Sequence, residues 1–186
     1  MSQRTIAFYE PPFARWLFAS TAASPIWFLV RLYLGWQWLS SGLQKVGSPM
    51  WTGAQSGAAL TGFVQGALQK TQGPHPDVSP WYASFLQNVV LPHASTFSWM
   101  VAVGETLVGI ALILGLFTGI AAFFGAFMNV NFLLAGTVSS NPILFLLAIF
   151  LILAWRNAGW WGLDRWALTW LGTPWQPGEL FEKHQP

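Results

Sequence analysis

The sequence predicts an all-α integral membrane protein: a four-helix bundle with a long, partly helical outer connection between its first and second spans. Three observations carry this. Charged residues make up only 8% of the 186 residues, against about 25% in ordinary soluble domains. Hydrophobic residues make up 54%, including 13 Trp and 15 Phe. Four stretches are apolar enough to cross about 30 Å of hydrocarbon at about 1.5 Å per residue.

The first span is expected over 25–43, where Ser24-Pro25 reads as an N-cap followed by proline at the first helical position. The second is expected over 97–116. The turn Gly115-Leu116-Phe117-Thr118-Gly119 leads into the third, over 119–136. The polar link Thr137-Val138-Ser139-Ser140-Asn141 precedes the fourth, over 142–158, which borrows interfacial residues up to Trp161. The whole membrane domain is placed at 25–165. Residues 1–24 form a cytoplasmic, interfacial N-terminal segment, with a short helix around Trp16 to Ala23. Residues 166–186 form a cytoplasmic tail.

Four spans put both termini on one side. That side carries Arg4, Arg15, Arg156, Arg165 and Lys183, while the other carries Lys45 and Lys70. The positive-inside rule then sets both termini in the cytoplasm and the 44–96 connection outside, in the inner membrane. Trp160, Trp161, Trp166 and Trp170 form a belt at the cytoplasmic interface. In the connection, 54–71 reads as an amphipathic helix with Leu60, Phe63, Val64 and Leu68 on one side. A proline-rich loop over 73–80 and a second short helix over 81–91 follow. Trp51 and the helix around Trp81 are expected to fold over the outer mouth.

Several function classes are excluded. No cysteine is present, which removes disulfides, thiol chemistry and Cys-held iron–sulfur clusters. All three histidines lie outside the spans, so membrane haem is not expected. His75, Asp77 and His93 match no metal spacing, and no metal is expected. Basic clusters of the kind that bind nucleic acid are missing, and so are phosphate loops, nucleophile elbows and H-E-x-x-H helices.

Arg31 and Glu105 are the charges deep within the spans, where ionisable groups mark a partner or a cavity. Arg31, Gly35, Trp38, Gly42 and Lys45 share one helical stripe, and Ala102, Glu105, Gly109 and Leu112 make another. By depth count Arg31 lies roughly 18 Å and Glu105 roughly 12 Å from the outer ends. Arg31 is therefore expected to pair with Glu105, with Asn129 adjacent. The set reads either as a polar latch or as the floor of a cavity open to the outside. Lys45 at the mouth either snorkels or attracts an anion. Trp36, Trp38, Trp51, Trp81 and Trp99 are either interface anchors or a stack for a flat ligand such as a quinone headgroup.

Three segments together resemble the DoxX/DoxD family of small four-helix membrane proteins. The first is Arg31-Leu32-Tyr33-Leu34-Gly35 through Ser41-Gly42-Leu43-Gln44-Lys45. The second is Gly104-Glu105 followed by Gly109 to Gly115. The third is Trp161-Gly162-Leu163-Asp164 after the last span. The resemblance covers roughly 25–165 and carries over Arg31, Lys45, Glu105 and Asp164 as the matching polar positions.

It implies a subunit of a thiosulfate:quinone oxidoreductase, with a quinone as electron acceptor and a DoxA-like partner. Glu105 and Arg31 are then the candidate catalytic residues, with Lys45, Trp38, Asn129, Trp51 and Trp81 around the substrate or quinone. With neither cysteine nor membrane histidine the chain has no evident redox relay, so a partner supplies one or donor and quinone exchange electrons directly. Two other readings remain: a non-catalytic accessory subunit of a larger respiratory or photosynthetic complex, and a small anion or proton transporter. The expected partners are the bilayer and a homo-oligomer or larger membrane complex.

Overall fold

The computed structural model describes residues 10–171. Arg4, Lys183, most of the expected C-terminal tail and the side chain of Trp170 lie outside them. The regular elements among the described residues are all helices: α1 (Pro12–Ala19), α2 (Ser24–Val46), α3 (Ala58–Gln69), α4 (Pro80–Phe85), α5 (Ala94–Leu114), α6 (Thr118–Leu134), α7 (Asn141–Leu153) and α8 (Asp164–Leu171). A 3-10 turn, Thr21–Ala23, joins α1 to α2. A wide turn over Leu86–Val90 and a 3-10 turn over Leu91–His93 join α4 to α5. The wide turn stands just before Pro92, whose missing N–H breaks the regular ladder.

α2, α5, α6 and α7 close into a ring, each packed on the next and α7 back on α2. The chain runs up and down in order, so the starts of α2 and α6 share one end with the ends of α5 and α7. We call this the termini end, and the opposite one the cap end. Alanines fill much of the shared core: Ala121, Ala122, Ala126, Ala148 and Ala154 are buried beside Leu34, Trp38, Leu112 and Leu151. Small residues let helices approach closely where lipid supplies no hydrophobic drive.

The α2–α5 seam shows how close. A methyl group on Gly42 would strike Thr106, one on Gly109 would strike the backbone of Leu39, and one on Gly35 would meet Ile113 at 2.9 Å.

This register decides where the bundle ends. Thr106 is level with Gly42, so α5 rises about 18 Å from that level to Ala94, and α2 rises only about 6 Å to Val46. α5 therefore projects about 12 Å past α2, and the connection folds around it. Leu60, Val64, Ala67, Val78, Tyr82, Leu86 and Val90 form a second buried cluster that rests on Ala135 of the α6 end. Polar ties reinforce the cap. The Lys70 ammonium donates to the Gly136 carbonyl at 2.7 Å, a cation at a helix C-terminus. Tyr82 Oη donates to the Asn131 carbonyl at 3.0 Å.

The expected amphipathic helix is shorter than read, Ala58–Gln69, with Leu60 and Val64 on its buried side. Trp51 is half-buried, but Trp81 is 64% exposed, so the helix around it docks through Tyr82 instead. Pro80–Leu114 is the one continuous helical stretch among the described residues that is long and apolar enough to cross a membrane. α1 with Thr21–Val46 qualifies together as a pair bent by 65°. α6 and α7 are apolar but shorter, at 17 and 13 residues. The helix at the fourth expected span thus ends at Leu153 rather than at 158, and turns follow it.

Candidate functional site

The four charged positions carried by the motifs separate into two pairs at opposite ends of the bundle. At the cap end, Lys45 Nζ lies 2.6 Å from Glu105 Oε2. Ser41, one turn before Lys45, donates to the same oxygen at 2.9 Å and accepts from Lys45 at 2.6 Å. Glu105 is 1% exposed and Lys45 17%. The Lys45 ammonium also sits 5.1 Å from the centre of the Trp51 ring, a cation–π distance. Lys45 thus turns into the bundle instead of snorkelling outward.

These groups floor a cavity of about 440 Å³. Trp38, Trp51, Phe63 and Phe132 supply aromatic walls. Gln37, Ser40 and Gln44 of α2 and the link Thr137 to Asn141 supply polar ones. α7 creates the space by starting only at Asn141. The last turns of α2 therefore face a short link where a helix would otherwise pack.

At the termini end, Arg31 is fully buried. Its Nη1 donates to the carbonyls of Leu112 and Ile113 at 2.5 and 2.7 Å, and its Nη2 to that of Trp161 at 3.1 Å. The first two carbonyls belong to the last turn of α5, where a cation is favoured, and that of Leu112 also accepts from the Gly115 N–H. Asp164 does the converse for α6, accepting from the backbone N–H of Phe117 at 2.5 Å and of Thr118 at 3.0 Å. Burial pushes the Asp164 carboxyl above its ordinary value, while the bonds from Thr118 and Phe117 and the charge of Arg31 pull it down. The α5–α6 corner needs this support. Gly115 has φ +65° and Phe117, no glycine, has φ +48°, a conformation costing about 1–3 kcal/mol.

The expected contact between Arg31 and Glu105 is therefore corrected. Glu105 sits at the level of Gly42, eleven residues or about 16 Å along α2 from Arg31. The depth count failed because it took the two spans to start level, whereas α5 begins about 12 Å above the end of α2. Asn129 is corrected as well. It is fully buried, and its Nδ2 donates to Asn141 Oδ1 at 2.9 Å, so Asn141 stands between it and the cavity. Trp81 lies outside the cavity, as do Trp36 and Trp99, 63% and 46% exposed.

Of the residues singled out by sequence, Lys45, Glu105, Trp38 and Trp51 come together here. Ser41, Gln37, Gln44 and Asn141 were missed. The signal for three of them was present: Gln37, Ser41, Gln44 and Lys45 recur at helical spacing on one flank of an otherwise apolar span. No metal-holding group of His, Asp and Glu occurs among the described residues.

With this geometry in view, the comparison with known proteins is specific. Residues 26–137, more than half of the chain, match the DoxX family. The chain belongs to the DoxX family. The matched stretch holds Arg31, Lys45 and Glu105, and Asp164 lies beyond it. DoxX membership and the apolar helices make this a membrane protein. No curated protein and no solved structure matches the chain.

Proposed function

We propose that this DoxX protein is a four-span subunit of a quinone-linked membrane oxidoreductase, and that the cap-end cavity holds the quinone headgroup. The carrying observation is the Lys45–Glu105 pair at the floor of an aromatic-walled cavity. A volume near 440 Å³ suits a small ligand. Flat aromatic walls suit a flat ring, and the Gln37 and Gln44 side chains supply hydrogen bonds at its edges. Trp38 contributes only its ring, because its Nε1 is sealed against Gly125 of α6.

The thiosulfate or related reduced sulfur anion that the family resemblance implies is not placed in this cavity. Lys45 is already neutralised by Glu105, so the floor offers an anion no net positive charge. Oxidation of the donor then falls to a partner chain, of which a DoxA-like subunit is the one the resemblance suggests.

The proposed topology puts the cap end outside the inner membrane and both termini in the cytoplasm. Arg15, Arg156 and Arg165 lie at the termini end, and of the two cap-end lysines Lys45 points inward. That sharpens the asymmetry of loop charge. α7 spans about 20 Å as a helix, and the flanking turns complete its crossing.

One observation favours a non-catalytic accessory role instead. Ile120, Phe123, Phe124 and Phe127 give α6 a broad exposed apolar face suited to a neighbouring membrane chain. Photolabelling separates the readings. An azido-quinone illuminated with the full chain in detergent is expected to label the segments holding Trp51 and Phe63. Labelling confined to the α6 outer face or the termini end would contradict the quinone site.

A further inference from the structure

We infer that the cap-end cavity recognises a hydrogen-bond donor and therefore binds a hydroquinone more tightly than the corresponding quinone, with Glu105 Oε1 making the distinction. The inference rests on the quinone reading above and adds the redox form that the site prefers.

Both hydrogen bonds onto the Glu105 carboxylate, from Ser41 and from Lys45, land on Oε2. Oε1 accepts none among the described residues, and it is not one of their sealed, unpartnered polar atoms. Glu105 itself lines the cavity. Oε1 is therefore an acceptor that opens on the cavity from an otherwise buried side chain. The donors of the floor, Ser41 and Lys45, are already engaged. Two of the three N–H bonds of Lys45 go to Ser41 and Glu105, and the Trp51 ring covers the ammonium.

The free valence of the floor is thus an acceptor. A hydroquinone brings two O–H donors to it. A quinone brings only carbonyl oxygens, whose lone pairs would face those of Oε1. Gln37 and Gln44 at the rim carry both donors and acceptors, so they serve either form without discriminating. The same carboxylate oxygen turns away anions.

The test uses the full-length protein in detergent, under argon, with durohydroquinone and duroquinone as probes in equilibrium dialysis. The expected result is binding of the hydroquinone roughly tenfold tighter, the scale of one hydrogen bond to a charged group. Glu105→Gln reverses the preference, because its carbonyl must serve Ser41 and Lys45 and its NH₂ then faces the ligand. Equal wild-type affinities, or an unchanged preference in Glu105→Gln, overturn the inference and leave the quinone site standing. Binding of neither form overturns both. Should Glu105→Gln fail to fold, the dimethyl ether of durohydroquinone tests the wild-type protein: with no O–H to donate, it is expected to bind no more tightly than duroquinone. Binding of the ether as tight as that of durohydroquinone also overturns the inference.

Discussion

Four charged side chains do two jobs. Lys45 and Glu105 shape a cavity at the cap end, while Arg31 and Asp164 cap the helix ends that meet at the termini end. Their places on helical stripes were legible in sequence because periodicity reports which face a residue occupies. Their partners were not legible. A lysine or arginine reaches several ångströms up or down its helix, and the vertical register of two helices is set by packing. Here two glycines of α2 and one of α5 fix that register, at Gly35, Gly42 and Gly109.

The termini-end lock gives a residue-scale prediction. A methyl group at Gly115 would meet Arg31 Nη1 at 2.5 Å and force a non-glycine into φ +65°. Gly115→Ala is expected to lower stability by about 2 kcal/mol or more. Thermal unfolding in detergent checks it, and an unchanged midpoint would mean that Arg31 does not cap α5.

Elements were read more securely than contacts. The stretches expected as spans return as α2, α5, α6 and α7 with ends shifted by a few residues. α5 keeps close to its expected bounds, but its first turns pack on the connection. Its apolar start looked like membrane span, because hydropathy cannot distinguish lipid from the apolar underside of a cap. Phe97 packs in the cap cluster with Leu60 and Val64.

Two predictions belong at this scale. Gly109→Ala drives a methyl into the Leu39 backbone, which has no flexible end to yield. It is expected to cost about 3 kcal/mol, at the upper end of overpacking, again read from thermal unfolding. In the cap, a single cysteine at Leu60 is expected to react with a maleimide far more slowly than one at Trp81, since Leu60 is 6% and Trp81 64% exposed. Equal rates would mean that the connection does not cover the bundle.

At the scale of the whole molecule, the bundle is asymmetric along its axis. The termini end is closed by hydrogen bonds between helix ends, and the cap end holds a polar cavity under an aromatic roof. The all-helical class, the order of the long helices and a folded, partly helical connection were legible in the sequence. An outward-opening cavity was one of the two readings of the buried charges; its lining by the link before the short α7 was hidden, because those polar residues read as an ordinary turn. Orientation follows from charge: a reporter fused after Pro186 is expected in the cytoplasm and one inserted near Gly73 outside. Opposite signals would reverse the topology.

The division between a ligand-binding pair and a fold-holding pair is tested most directly by measuring hydroquinone affinity and thermal midpoint on the same variants. Lys45→Met combined with Glu105→Leu removes both buried charges together, so neither is stranded and stability should change little. Hydroquinone binding should be lost. Asp164→Asn weakens the bonds to Phe117 and Thr118 and should lower stability by about 2 kcal/mol, leaving the affinity of the folded protein at its wild-type value. The opposite pattern, binding kept in the double variant and lost in Asp164→Asn, would contradict the account.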